Sequence, residues 1–149
     1  MDLLVRAAVA WCHGASGIAL ARTARLGDSE ERAVCEEIEI AVASTLRESV
    51  GQNNSLCHGD LGNLEIVALA ADRLNKPDWR RRANEMLAQA VEGGRRHGWL
   101  SGMPTGVEAP GFMTGLAGIG YALLRAGFPA EIPSVLLLDG GPRSRTSGS

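Results

Sequence analysis

Two short stretches of this chain, Trp11-Cys12-His13-Gly14 and Leu56-Cys57-His58-Gly59, each set a cysteine beside a histidine just before a glycine and an apolar, helix-like run. Thiol and imidazole are the donors that zinc prefers. The spacing leaves three arrangements open. Both cysteines with one imidazole would leave the fourth tetrahedral position to water or a substrate thiol, the form of a catalytic site. All four residues, Cys12, His13, Cys57 and His58, would make a closed structural site. The third arrangement is two buried thiols with no metal. Two thiolates balance the charge of Zn²⁺, and a thiol just before a helix N-terminus is drawn toward the thiolate by the helix dipole and the free N–H groups.

Other reactive side chains carry less. Cys35 falls on the apolar stripe of an amphipathic helix and reads as a core thiol. His97 follows Arg95-Arg96 in a Gly-rich stretch and reads as a solvated loop histidine. Asp60, two residues after His58, could orient a ligand imidazole, but a favourable charge at a helix N-terminus is the simpler role. Trp11, Trp79 and Trp99 read as packing anchors. Arg80-Arg81-Arg82 lies beside Asp78 and Glu85, as a solvated helix face does.

The elements that must position these residues are helical. Ser16–Arg25 reads as a helix ended by Gly27, and Ser29 to about Ser49 as a second, begun by a capping-box-like Asp28 and Glu31. A third runs from Asp60 to about Leu74. A fourth starts at Pro77 and continues to Val91, where Gly93-Gly94 should stop it, leaving residues 93–111 as a long loop. A fifth covers Leu116 to Ala126. Ile132–Leu138 reads as an extended apolar segment docked on the core.

Three of these helices open alike. His13-Gly14-Ala15-Ser16-Gly17, His58-Gly59-Asp60-Leu61-Gly62 and Thr114-Gly115-Leu116-Ala117-Gly118 share G-x-x-G at the mouth of an apolar helix, at offsets of 45 and 56 residues. That spacing holds one outgoing helix and one return, so the chain is an α-hairpin repeat alternating apolar with amphipathic helices. Such pairs stack as a curved double layer, and the glycines allow close backbone approach. Cys12, Cys57 and Met113 are then equivalent positions of successive repeats, as are Trp11 and Phe112, a core-packing pair. The repeat predicts that the two thiols meet at one end of the bundle.

Composition agrees with a single helical domain. The chain has 149 residues, 45% hydrophobic, 21% charged and 4% aromatic, with a formal net charge of −2. Scarce aromatics and absent β-branched runs favour helix over sheet, and the charge gives no reason to expect a nucleic acid partner. An acid at Asp2 stands where a signal peptide would carry a base, and no stretch approaches the roughly 18 apolar residues of a membrane span. The expectation is a cytoplasmic protein whose three cysteines stay reduced.

Trp11-Cys12-His13-Gly14-Ala15-Ser16-Gly17, Ser55-Leu56-Cys57-His58-Gly59-Asp60-Leu61-Gly62-Asn63 and Gly111-Phe112-Met113-Thr114-Gly115-Leu116-Ala117-Gly118-Ile119-Gly120-Tyr121 resemble, in order, the motifs of the LanC-like lanthionine cyclases. The second motif and the closing Ile132-Pro133-Ser134-Val135-Leu136-Leu137-Leu138 are most similar to the C-terminal end of class II (LanM-type) lanthipeptide synthetases. The resemblance implies an all-α fold, a partial α/α toroid in which residues 1–139 are the C-terminal portion of a cyclase domain and 140–149 a disordered tail. It implies Zn²⁺ held by Cys12, Cys57 and His58, with His13 outside the ligand set. Through that zinc a cysteine thiol of a dehydrated precursor peptide is activated for addition to dehydroalanine or dehydrobutyrine, forming a thioether ring. The family's general acid and base lie N-terminal to these motifs, outside this chain, so the N-terminal part of the synthetase is a second expected partner. The alternative function is an inactive relic, or a zinc module that binds a peptide or subunit without turnover.

Overall fold

The computed structural model describes residues 9–26, 31–48, 51–104 and 107–138. In chain order these form α1 (Ala15–Arg25), α2 (Arg32–Glu48), α3 (Asp60–Arg73), α4 (Pro77–His97), α5 (Leu116–Gly127) and a 3-10 turn, Val135–Leu137. The fold is all-α. Beyond helix, the described residues contribute an isolated bridge between Val9 and Gly14. Gly27, the Asp28–Ser29 start foreseen for α2, Ser49 and the foreseen tail 140–149 lie outside the described residues.

The two kinds of helix segregate as their patterns require. Leu61, Leu64, Ile66, Val67, Ala70 and Ala71 of α3 are all buried, so this helix is apolar on nearly every side and must sit in the middle. It lies between α1 and α5, while α2 packs on α1 and α3, and α4 packs on α3. By contrast α4 buries Ala83, Met86 and Gly94 along one stripe. Its outward face pairs Arg81 with Asp78 and Glu85, Arg82 with Glu85, and Arg96 with Glu92. These exposed pairs each contribute little to stability.

The repeated glycines have a specific steric cause. A Cβ built on Gly17 would lie 2.5 Å from the Trp11 carbonyl oxygen; on Gly62, 1.9 Å from that of Leu56; on Gly118, 1.7 Å from that of Phe112. The second glycine of each G-x-x-G is thus the floor on which the first residue of its own turn rests. Close approach of neighbouring helices, the reason foreseen from sequence, is secondary: at Gly118 the neighbouring repeat comes to 3.2 Å through Leu56 Cδ1. The shared position itself is unevenly buried, with Leu56 fully enclosed, Trp11 half-buried and Phe112 41% exposed. Phe112 packs obliquely on Tyr121, ring centroids 5.2 Å apart, rather than in the core.

Two elements depart from expectation. The helix α4 passes through Gly93-Gly94 and ends at Gly98, whose φ of 85° suits glycine. Gly94 is no stop: a Cβ there would be 2.7 Å from the Trp99 indole, which folds back onto the helix. His97 therefore closes a helix instead of lying in a loop, and it is exposed. The closing apolar segment is also not extended, but turns as a 3-10 helix with Leu136 buried.

That segment straps the three repeats together. The Tyr121 hydroxyl on α5 donates to the Pro133 carbonyl at 2.6 Å and accepts the Val135 N–H at 2.9 Å. Ser134 Oγ donates to Glu65 Oε1 on α3 at 2.6 Å, and Trp11 Nε1 donates to the Leu136 carbonyl at 3.3 Å. Glu65 also pairs with Arg125 at 3.4 Å, both nearly enclosed, and Arg125 donates to the Pro129 and Ile132 carbonyls. Burial raises the Glu65 carboxyl above its usual range, with Ser134 and Arg125 pulling it back.

The glycine floor predicts opposite outcomes two residues apart. Gly118→Ala should lower the thermal midpoint, by the equivalent of about 2–3 kcal/mol for forced overpacking. Gly120→Ala, with nothing within 4 Å of its Cβ, should raise stability by about 0.5–1 kcal/mol. Equal effects in thermal unfolding would contradict this packing.

Candidate functional site

Each motif turn delivers its second residue to the same end of the helix row, and backbone hydrogen bonds fix the turns side by side. The Trp11 N–H donates to the Cys57 carbonyl at 2.9 Å, and the Cys57 N–H donates to the Met113 carbonyl at 2.9 Å. The second turn therefore sits between the first and the third. Asn63, buried in the first turn of α3, adds Nδ2 to the Val9 carbonyl at 3.2 Å.

This arrangement sets Cys12 and Cys57 in adjoining turns, near enough for the Cys12 thiol to act electrostatically on that of Cys57. The Cys57 thiol is pushed up to about 11, first by burial and then by the neighbouring Cys12 thiol, while the Cys12 N–H draws it down. Two neighbouring thiols resist a second negative charge, and a cation bound between them removes that penalty. Cys12 is exposed and opens on a shallow cleft lined by Trp11, His13, Ile18, Ala21 and Arg22. Met113, equivalent in the third turn, is half-buried and packs on the core.

The imidazoles differ in setting. His13 is exposed, with Nδ1 3.2 Å from Cys12 Sγ. His58 is half-buried, and its Nε2 lies 2.9 Å from the Gly102 carbonyl oxygen. A carbonyl only accepts, so Nε2 carries the proton and, in the neutral ring, Nδ1 keeps the lone pair. Asp60 does not orient that ring: its Oδ2 accepts the Gly51 N–H at 2.9 Å, tying down the loop before the motif. Burial raises the Asp60 carboxyl, opposed by Gly51, and the residue stands in the first turn of α3 as a favourable charge.

In kind, two thiols and an imidazole match a zinc ligand set with one position to spare. As placed, each donor is turned to a protein partner, and among the described residues no three His, Cys, Asp or Glu side chains converge as a ready metal cluster. The structure pairs the Cys12 sulfur with His13 Nδ1, sets Cys57 in the adjoining turn, and holds the His58 ring through the Gly102 carbonyl. Cys35 is half-buried against the core, away from this group. The 51–55 stretch reads as a loop from its composition and is one, with Asn53 Oδ1 accepting the Ser55 N–H at 2.9 Å; the role of Gly102 is not foreseen. The one signal available was the glycine in an otherwise irregular stretch.

Comparison with known proteins places these residues in context. A family model described as lanthionine synthetase C-like protein matches residues 3–137. The chain is similar to the lacticin 481/lactococcin biosynthesis protein LcnDR2 of Lactococcus lactis subsp. lactis, 36% identical over 128 residues, or 77% of this chain and 14% of that protein. The chain thus spans much less than the whole of that relative. No solved structure matches it significantly. Among the described residues no helix is long and apolar enough to cross a membrane.

Adjoining cysteine turns have a direct chemical consequence. Treating metal-free protein with a thiol oxidant such as diamide should link Cys12 to Cys57, since the Trp11–Cys57 backbone bond holds their turns side by side. Peptide mapping should leave Cys35 free. A bridge involving Cys35 in folded protein would contradict the geometry.

Proposed function

The chain belongs to the lanthionine synthetase C-like family, and from that premise we propose that it is the zinc-bearing part of a lanthipeptide cyclase acting on a dehydrated precursor peptide. Cys12, Cys57 and His58 would hold Zn²⁺, with the fourth position open to a substrate thiol and His13 outside the set. Zinc bound there supplies a Lewis acid that keeps a peptide thiol deprotonated and nucleophilic for addition to dehydroalanine or dehydrobutyrine, giving a thioether ring.

One observation carries this proposal: two cysteines 45 positions apart in sequence stand in turns joined by the backbone bond from Trp11 to Cys57, next to a histidine, His58, whose Nδ1 holds the lone pair in the neutral ring. The chain's own residues then divide the work. Cys12 and Cys57 provide the charge that balances the metal. His58 provides a neutral third donor, which leaves the site electrically open to an anionic thiolate. The exposed cleft beside Cys12, lined by Trp11 and Ile18, gives a peptide access to that position. The enolate formed on addition must still take a proton, and we assign that group to the N-terminal part of the synthetase, with the whole reaction in the cytoplasm, where thiols stay reduced. The second reading is a zinc module that binds peptide without turnover. Incubation with a dehydrated precursor separates the two: loss of free thiols with the chain alone supports turnover, and loss only after adding the N-terminal part supports the module.

Metal analysis tests the site itself. Purified chain should carry one zinc, lost in Cys57→Ala and in Cys12→Ala and kept in His13→Ala. Zinc affinity should rise with pH, because binding expels thiol protons that the raised Cys57 value retains at neutrality. A chain that binds no zinc at any pH overturns the proposal.

A further inference from the structure

We propose that Gly102 is a positioning residue: its carbonyl fixes His58 as the Nε2–H tautomer and so presents Nδ1 as the ligand nitrogen. This inference rests on the zinc function above and adds which nitrogen binds and what selects it. The hydrogen bond, 2.9 Å from His58 Nε2 to the Gly102 carbonyl, reaches across 44 residues of sequence. Metal-binding histidines characteristically donate their other ring N–H to such an acceptor, which locks tautomer and ring orientation together.

The carbonyl is itself held on both sides. The Gly102 N–H donates to the Thr114 carbonyl at 2.7 Å, in the third motif turn. Two positions earlier, the Asn54 N–H donates to the Leu100 carbonyl at 2.8 Å, and the Leu100 N–H donates to Asn54 Oδ1 at 2.9 Å. The segment thus bridges the loop before His58 and the turn bearing Met113. Its acceptor is placed by backbone bonds from two repeats, a more rigid mounting than a mobile side chain.

Only glycine leaves the imidazole room. A Cβ on Gly102 would sit 2.7 Å from His58 Nε2, 3.0 Å from its Cε1 and 2.7 Å from Ser55 Oγ. Ser55 is fully buried, and among the described residues its hydroxyl has no hydrogen-bond partner. The ring, the serine hydroxyl and the glycine therefore share one tight compartment, and a methyl group there must displace the imidazole, the loop or both.

The test reads the tautomer without metal. In metal-free protein at alkaline pH, where the ring is neutral, ¹⁵N shifts of His58 should report the Nε2–H form, with signals assigned through His13→Gln and His97→Gln. Gly102→Ala, with its helical circular dichroism unchanged, should lose that bias and bind zinc about 10- to 100-fold more weakly. If that variant fails to fold, Ser55→Ala/Gly102→Ala removes the hydroxyl clash and leaves only the clash with the ring. An Nδ1–H tautomer in the parent chain, or unchanged tautomer and zinc affinity in a folded variant, overturns the inference. An Nε2–H tautomer in a chain that binds no zinc defeats the metal function while supporting the Gly102 restraint on the ring.

Discussion

Everything at the functional end of this protein depends on one steric constraint, a backbone carbonyl resting where a side chain would otherwise begin. In each repeat the carbonyl of the first turn residue lies against the second glycine of G-x-x-G, at Gly17, Gly62 and Gly118. Because the same contact recurs three times, the three turns leave their helices in the same direction. Backbone bonds from Trp11 to Cys57 and from Cys57 to Met113 can then join them edge to edge. The meeting of Cys12 with Cys57 follows from that alignment and needs no attraction between the thiols. Chemistry is placed by main-chain geometry, and the side chains arrive already paired.

A second set of contacts keeps the row from splaying. The segment after α5 crosses the inner helices, bonding to Tyr121, Glu65 and the Trp11 indole in turn. Glu65 and Tyr121 stand at the same position of their repeats, three residues after the glycine that carries the turn. The enclosed Glu65–Arg125 pair is not a strong source of stability, since desolvation offsets much of its Coulomb energy. Its value is geometric: Arg125 also holds the Pro129 and Ile132 carbonyls, so the strap has one seating. Removing either partner would leave the other enclosed and uncompensated.

How much of this was legible in the residues varies with the range of the contact. The periodicity of α1, α3 and α5 and the offset of their glycines were enough to bring Cys12 and Cys57 together on paper, because a repeat converts sequence spacing into spatial equivalence. The end of α4 was not legible. Gly94 reads as a stop by propensity, yet it serves as space for the Trp99 indole, and tertiary packing outweighs the cost of a glycine within a helix. The role of Asp60 lay in its contact with Gly51 rather than with the adjacent histidine. Which histidine is held, and by what, depended on a carbonyl 44 residues away, and carbonyls are common to every residue type. Only the absence of a side chain at Gly102 marks the place.

The central claim is that the paired thiols of Cys12 and Cys57 are the anionic half of a zinc site with a single imidazole. X-ray absorption at the zinc edge of the metal-loaded chain tests it most directly. The account predicts two sulfur neighbours at about 2.3 Å and nitrogen or oxygen neighbours at about 2.0–2.1 Å, with one sulfur lost in Cys57→Ala. A zinc shell with no sulfur, or one unchanged by Cys57→Ala, would contradict it.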